Sequence, residues 1–279
     1  MDMALKTPEQ VAWLELNCND ALQLKEAANQ FSQLKSLYLK GCEFTQTPSG
    51  IERIKTLTLL NLQDNRLTDL SQSLSALKEM RVINLRNNAF KRMPKVVTQW
   101  PRLREIDLSG NKNLNLKQAI DQLAKVKALD FLYLNDMGFK ALPMSIKQLS
   151  ALEELHLADN PDMELGSTLK ALAHLPQLKI LVLSNNAIEQ LPEALRLMKR
   201  LKGLVLDHNP DIQLEQLISH IACLPELRVL VLRNNGLNAL PKELASLTQL
   251  AVLDLSNNDF PANEQARIKA ALPEVKVIF

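Results

Sequence analysis

Leu178-Lys179-Ile180-Leu181-Val182-Leu183-Ser184-Asn185-Asn186 is the stretch that decides the fold. Alternation puts Leu181 and Leu183 on one face and Ile180, Val182 and Ser184 on the other, the period-two signature of a strand. The Ser-Asn-Asn that follows turns the chain. Ile188, Leu191, Leu195 and Met198 then recur at spacings of 3 and 4. That predicts a short helical or 3₁₀ return, with Pro192 at its first position, where a missing N–H costs nothing. A single strand, turn and return cannot bury its own leucines, so it must stack on neighbours built like itself.

Such neighbours fill the chain. The pattern LxxLxLxxN begins at Val11, Leu34, Leu57, Met80, Leu103, Leu129, Leu152, Leu178, Leu201, Leu227 and Leu250, at intervals of 23 or 26 residues. A partial twelfth unit fits Leu272, Val275 and Val277. From Leu103 onward the units pair into 49-residue blocks, so Pro143, Pro192 and Pro241 are 49 apart, as are Asn111, Asn160 and Asn209. This is duplication of a two-coil unit. The 26-residue units have room for a longer return helix, such as Leu214–Cys223. A single domain is expected: a short cap over residues 1–10, eleven repeats over 11–259, and a closing segment over 260–279. That last part reads as a helix, Asn263–Leu272, and a final strand, Val275–Phe279.

Composition narrows the function. Leucine supplies 57 of the 279 residues, and hydrophobic residues make up 46% against 23% charged, which excludes disorder. No apolar run reaches the roughly 18 residues of a membrane helix, so no membrane partner is expected. The net charge of +2 and aromatic content of 4% argue against nucleic acid. No phosphate loop, dinucleotide loop, zinc-protease or nucleophile-elbow motif occurs, and seven glycines leave little material for one. His220 and Cys223 could share one side of a helix, but structural zinc wants four ligands, so neither metal nor other cofactor is expected. Three cysteines do not make a disulfide framework, and none has a base beside it in its unit that would activate it. The reading is of a protein that is not an enzyme. MDMALKTPEQ lacks the apolar core of a signal peptide, so the cytoplasm is expected, or export if an upstream signal has been removed.

With its LxxLPxxLxxL returns at Leu191-Pro192 and Leu240-Pro241, the chain resembles leucine-rich repeat proteins of the short type common in bacterial and Ras-associated members. The resemblance covers residues 11–279. It implies an α/β solenoid, a curved horseshoe with a parallel sheet on the concave face and short helices or 3₁₀ turns on the convex face. It also implies protein binding on the concave side.

The ninth position of each unit reads as a structural ladder of Asn19, Asn65, Asn88, Asn111, Asn160, Asn186, Asn209, Asn235 and Asn258. A side-chain amide there can both donate to and accept from the backbone of adjacent coils. Cys42 and Met137 interrupt it, and Met137, with no donor, should leave a local gap. Positions 3, 5 and 7 face the partner side. There the expected binding residues are Glu105, Asp107, Phe131, Tyr133, Glu154 and His156 in an acidic and aromatic zone. Ile180, Val182, Val205, Val229 and Val231, notched by Gly203, form an apolar one. Aromatic anchors dominate hot spots, so Phe131 and Tyr133 should grip an unidentified protein or peptide. The alternatives are self-association of an otherwise monomeric chain into a homodimer through the amino-terminal edge at Trp13, and a surface-glycan or ligand binder.

Overall fold

The computed structural model describes residues 4–279. The chain divides into two compact units, Met1–Met137 and Gly138–Phe279. The first unit holds strands β1 (Trp13–Glu15), β2 (Ser36–Tyr38), β3 (Leu59–Asn61), β4 (Val82–Asn84), β5 (Glu105–Asp107) and β6 (Phe131–Tyr133). All pair in parallel in chain order. The second holds β7 (Glu154–His156), β8 (Ile180–Val182), β9 (Gly203–Val205), β10 (Val229–Val231), β11 (Val252–Asp254) and β12 (Lys276–Ile278), again parallel and consecutive. These are solenoid coils, each strand advancing the chain by one repeat.

Register explains why leucine dominates. In the first unit Leu14, Leu37, Leu60, Ile83, Ile106 and Leu132 stand side by side at the centre of successive strands. In the second, Leu155, Leu181, Leu204, Leu230, Leu253 and Val277 do the same. Most of them are fully buried, each stabilising its unit by roughly 1.5–3 kcal/mol. Most of the flanking strand positions are half-buried on the other face. Trp100 fills the core of the first unit, and its indole N–H donates to the Leu74 carbonyl at 2.9 Å.

Repeat length sets the return. The short coils return through 3₁₀ turns such as Gln72–Ala76, Lys95–Gln99, Glu193–Leu197 and Lys242–Ser246. The first coil instead carries two small helices, α1 (Cys18–Leu22) and α2 (Leu24–Ala27). The three long coils return through eight-residue helices α3 (Leu116–Leu123), α4 (Leu165–Leu172) and α5 (Leu214–Ile221). Pro192 stands one residue earlier than expected: it precedes the turn in extended conformation, with φ −60° and ψ 151°. Helix α6 (Ala262–Ala271) closes the carboxyl end, burying Ile268, ahead of β12.

After each strand from β2 to β11 the chain passes through one left-handed residue at the eighth repeat position. These are Gly41, Asp64, Asn87, Gly110, Asp136, Asp159, Asn185, His208, Asn234 and Asn257. Gly, Asn and Asp tolerate that region best. In the first coil the equivalent residue is Cys18, which begins α1 instead. Asn17 caps that helix, its side-chain oxygen accepting the Asp20 N–H at 2.9 Å. Asn19 is therefore exposed inside α1 and takes no ladder position, contrary to the reading from spacing.

The other asparagines bridge coils. Asn65 donates to the carbonyls of Leu39 at 2.8 Å and Leu62 at 2.9 Å, while its oxygen accepts the N–H groups of Cys42 and Phe44. Asn88 and Asn111 donate likewise to Leu62 and Leu85 of the preceding coils. In the second unit Asn209 accepts from Asn186 and Ile188, and Asn258 from Asn235 and Leu237. Next to Met137, the Gly138 N–H donates to the Asn160 side-chain oxygen at 3.0 Å.

Cysteine usage also differs from expectation. Cys18 and Cys42 form a disulfide with their Cα atoms 5.1 Å apart, joining the start of α1 to the loop after β2. Their separation of 24 residues, close to one repeat, brings them to adjacent coils. Cys223 is the free thiol.

Candidate functional site

Glu105 and Asp107 lie on β5, Phe131 and Tyr133 on β6, all half-buried on the solvent face of the first unit. Parallel pairing sets Glu105 beside Phe131 and Asp107 beside Tyr133. Two carboxylates thus run alongside two aromatic rings. The Asp107 carboxylate accepts the Ser109 N–H at 2.8 Å, which fixes its orientation. At the edge of this strip Arg104 donates from Nε and a terminal guanidinium nitrogen to one carboxylate oxygen of Asp130.

Glu154 and His156 lie on β7 of the second unit, where the Glu154 carboxylate and His156 Nε2 are 2.6 Å apart. The apolar residues form two rows across adjacent strands. One runs Ile180, Gly203, Val229, Val252, and the other Val182, Val205, Val231, Asp254. The side chains in these rows are half-buried. Gly203 is buried, with Ile180 Cγ1 3.5 Å from where a Cβ would stand, so Ile180 partly covers the expected notch. Beyond the rows, Arg233 donates two guanidinium N–H groups to one carboxylate oxygen of Asp207 at 3.1 and 2.7 Å, which raises the arginine pKa.

Sequence reading passed over one feature of the first unit. Trp13 on β1, 56% exposed, packs against Tyr38 on β2 with ring centroids 5.6 Å apart. Beside them Lys40 pairs with Glu15 at 3.0 Å, so this lysine is not a free basic group. The signal was available, since Trp13 and Tyr38 occupy the third and fifth positions of consecutive units.

Among the described residues no three His, Cys, Asp or Glu side chains cluster as metal ligands. No helix among them is long and apolar enough to cross a membrane. Of the pair weighed for metal, Cys223 Sγ takes a hydrogen bond from Arg196 at 3.1 Å and His220 is buried.

Stacked parallel strands, a left-handed residue at the eighth position of each turn from β2 to β11 and bridging asparagines define the repeat, and residues 55–112 match the family model for the leucine rich repeat. The chain has the leucine-rich repeat fold. A solved leucine-rich repeat protein of Leptospira interrogans is similar at 22% identity, with 100% of this chain and 98% of that chain covered and a TM-score of 0.42. No curated protein matches the sequence. Leucine-rich repeat proteins are in general interaction scaffolds without catalytic activity.

Proposed function

We propose that this leucine-rich repeat protein recognises a protein or peptide on the solvent face of its parallel strands, the concave face of the family's fold. The observation that carries the reading is the register of β5 and β6, which lines Glu105 and Asp107 against Phe131 and Tyr133. Aromatic side chains supply contact area at low entropic cost, and neighbouring carboxylates select a basic rim on the partner. In the second unit the half-buried row of Val182, Val205 and Val231, with Ile180 and Val229 beside it, offers a separate apolar strip, with Glu154 and His156 next to it. β-Branched residues also suit a pleated surface for their own sake, so that strip ranks second.

The test is capture of partners from an extract of the source cells by immobilised wild-type chain and by a Phe131→Ala/Tyr133→Ala double variant. Loss of specific partners with unchanged melting supports the site; retention of every partner refutes it. A second reading is self-association, favoured by the exposure of Trp13 on β1. Light scattering on wild type and Trp13→Ala over a range of concentrations checks it, and a monomer throughout removes it. The Cys18–Cys42 bridge favours the exported alternative over the cytoplasm, since disulfides persist in oxidising compartments.

A further inference from the structure

The returns of the first unit carry a feature that neither the repeat nor the strand face explains. At the step from 23-residue to 26-residue repeats, the return changes from the 3₁₀ turns Gln72–Ala76 and Lys95–Gln99 to the full helix α3. A cleft of about 860 Å³ opens along this step, lined from three consecutive returns. That volume is in the range of small-ligand sites.

Its lining is rich in donors. Lys91, Arg92 and Lys95 come from one return, and Lys125 follows α3. None of these cations takes part in an ion pair among the described residues, and the one carboxylate in the lining is Asp69. Two glutamines of α3 complete the bias. The Gln118 side-chain oxygen is consumed by the Met93 N–H at 2.8 Å, and the Gln122 oxygen by Lys125 Nζ at 3.1 Å. Each amide therefore keeps its NH₂ group to offer. Residues 1–137 carry 19 basic against 15 acidic side chains, while residues 138–279 carry 14 against 16, so the unit holding the cleft is the positive one.

We propose that this cleft binds a small polyanion bearing two or more phosphate or sulfate groups. Cations and amide N–H groups match a ligand whose polar atoms are all acceptors, and charge-assisted bonds to such oxyanions are the strong ones. A peptide backbone would need acceptors from the protein as well as donors. A nucleotide base or a neutral sugar would want an aromatic platform, and no aromatic side chain lines the cleft. This site lies on the returns and does not depend on binding at the strand face.

The experiment is calorimetric titration of the full chain with tripolyphosphate, with a sulfated disaccharide, and with citrate as a carboxylate control, at low and moderate salt. Saturable one-to-one binding of tripolyphosphate or the sulfated sugar is expected, weakened at least tenfold by Lys91→Ala/Arg92→Ala and by Gln122→Glu. Lys242→Ala, an exposed cation of the second unit, should leave it unchanged. Thermal melting of each variant checks that it folds. The tighter of the two oxyanion probes identifies the source, phosphate or sulfate. Absence of binding by both, equal binding of citrate, or affinity insensitive to both cleft variants overturns the proposal, as does tighter binding of an acidic peptide or an oligonucleotide to the same residues.

Discussion

Asn186 holds the coil before it in place: its side-chain oxygen accepts the Asn160 backbone N–H at 2.6 Å, and its NH₂ donates to the Leu157 carbonyl at 3.0 Å. Both backbone groups belong to a turn shut away from water, and the Leu157 carbonyl also accepts from the Asn160 side-chain amide at 3.0 Å. Removing the Asn186 amide takes one buried partner from each. Asn186→Ala is expected to cost about 1–3 kcal/mol, the penalty for buried unsatisfied groups. Asn19→Ala, in the exposed α1 helix, should change stability by less than about 0.5 kcal/mol. Urea melting of the two variants side by side decides the matter, and equal midpoints would count against the ladder as a source of stability.

The disulfide closes a loop of about one repeat. In the chain-entropy view, a crosslink across 24 residues stabilises by about 3 kcal/mol. Cys18→Ser/Cys42→Ser, or reductant added to wild type, should lower the unfolding midpoint, with the loss confined to the amino-terminal coils in hydrogen exchange. Thiol counting under native conditions should find one reactive cysteine, Cys223. Three would show the bridge absent.

Gly50 sits at φ +102° where α2 meets the turn Ile51–Arg53, and a Cβ there would lie 2.6 Å from the Lys25 Cα. The left-handed backbone and the close approach act together, so Gly50→Ala should destabilise by more than about 1 kcal/mol. Gly41, left-handed with nothing within 4 Å of a Cβ, should lose less on the same change. If calorimetric melting ranks the two the other way, steric contact is not what fixes Gly50.

At the carboxyl end, Glu264 ties α6 to the preceding coil. Its carboxylate takes two hydrogen bonds from Arg267 and one from the Leu240 N–H, which pull its pKa from 4.5 down to about 2. A depressed carboxylate contributes stability that is fully present above its unfolded pKa and is lost as the pH falls through the folded value. The closing helix should therefore loosen between about pH 4.5 and 2. Hydrogen exchange or proteolysis of α6 across that range should show the change in wild type, and a much flatter profile in Glu264→Gln. Identical profiles would remove Glu264 from the account.

Much of this was legible from spacing alone. Leucines such as Leu181 and Leu204 announce their inward face through a period of two, and packing against identical neighbours leaves them no alternative. Interval lengths foretold the helices α3, α4 and α5. The first coil was not legible, because Cys18 replaces the turn-forming residue found in every later coil and begins a helix there. That single change displaces Asn19 and frees Cys18 to bond Cys42. On the strand face, the adjacency of Glu105 to Phe131 followed from repeat counting, whereas the pairing of Arg104 with Asp130 depends on side-chain reach that periodicity does not encode. The cleft beside α3 escaped because its residues are scattered over three returns and only their stacking brings them together.

The difference between a 3₁₀ return and a helical one is three residues, added at a point remote from the strand. Insertions or deletions of that size can therefore raise or erase a ledge on the outside of a coil while every hydrogen bond of the sheet persists. Surface relief on that side is free to diversify through length mutations, independently of point substitutions on the strand face, so one gene can reshape its two faces at separate tempos.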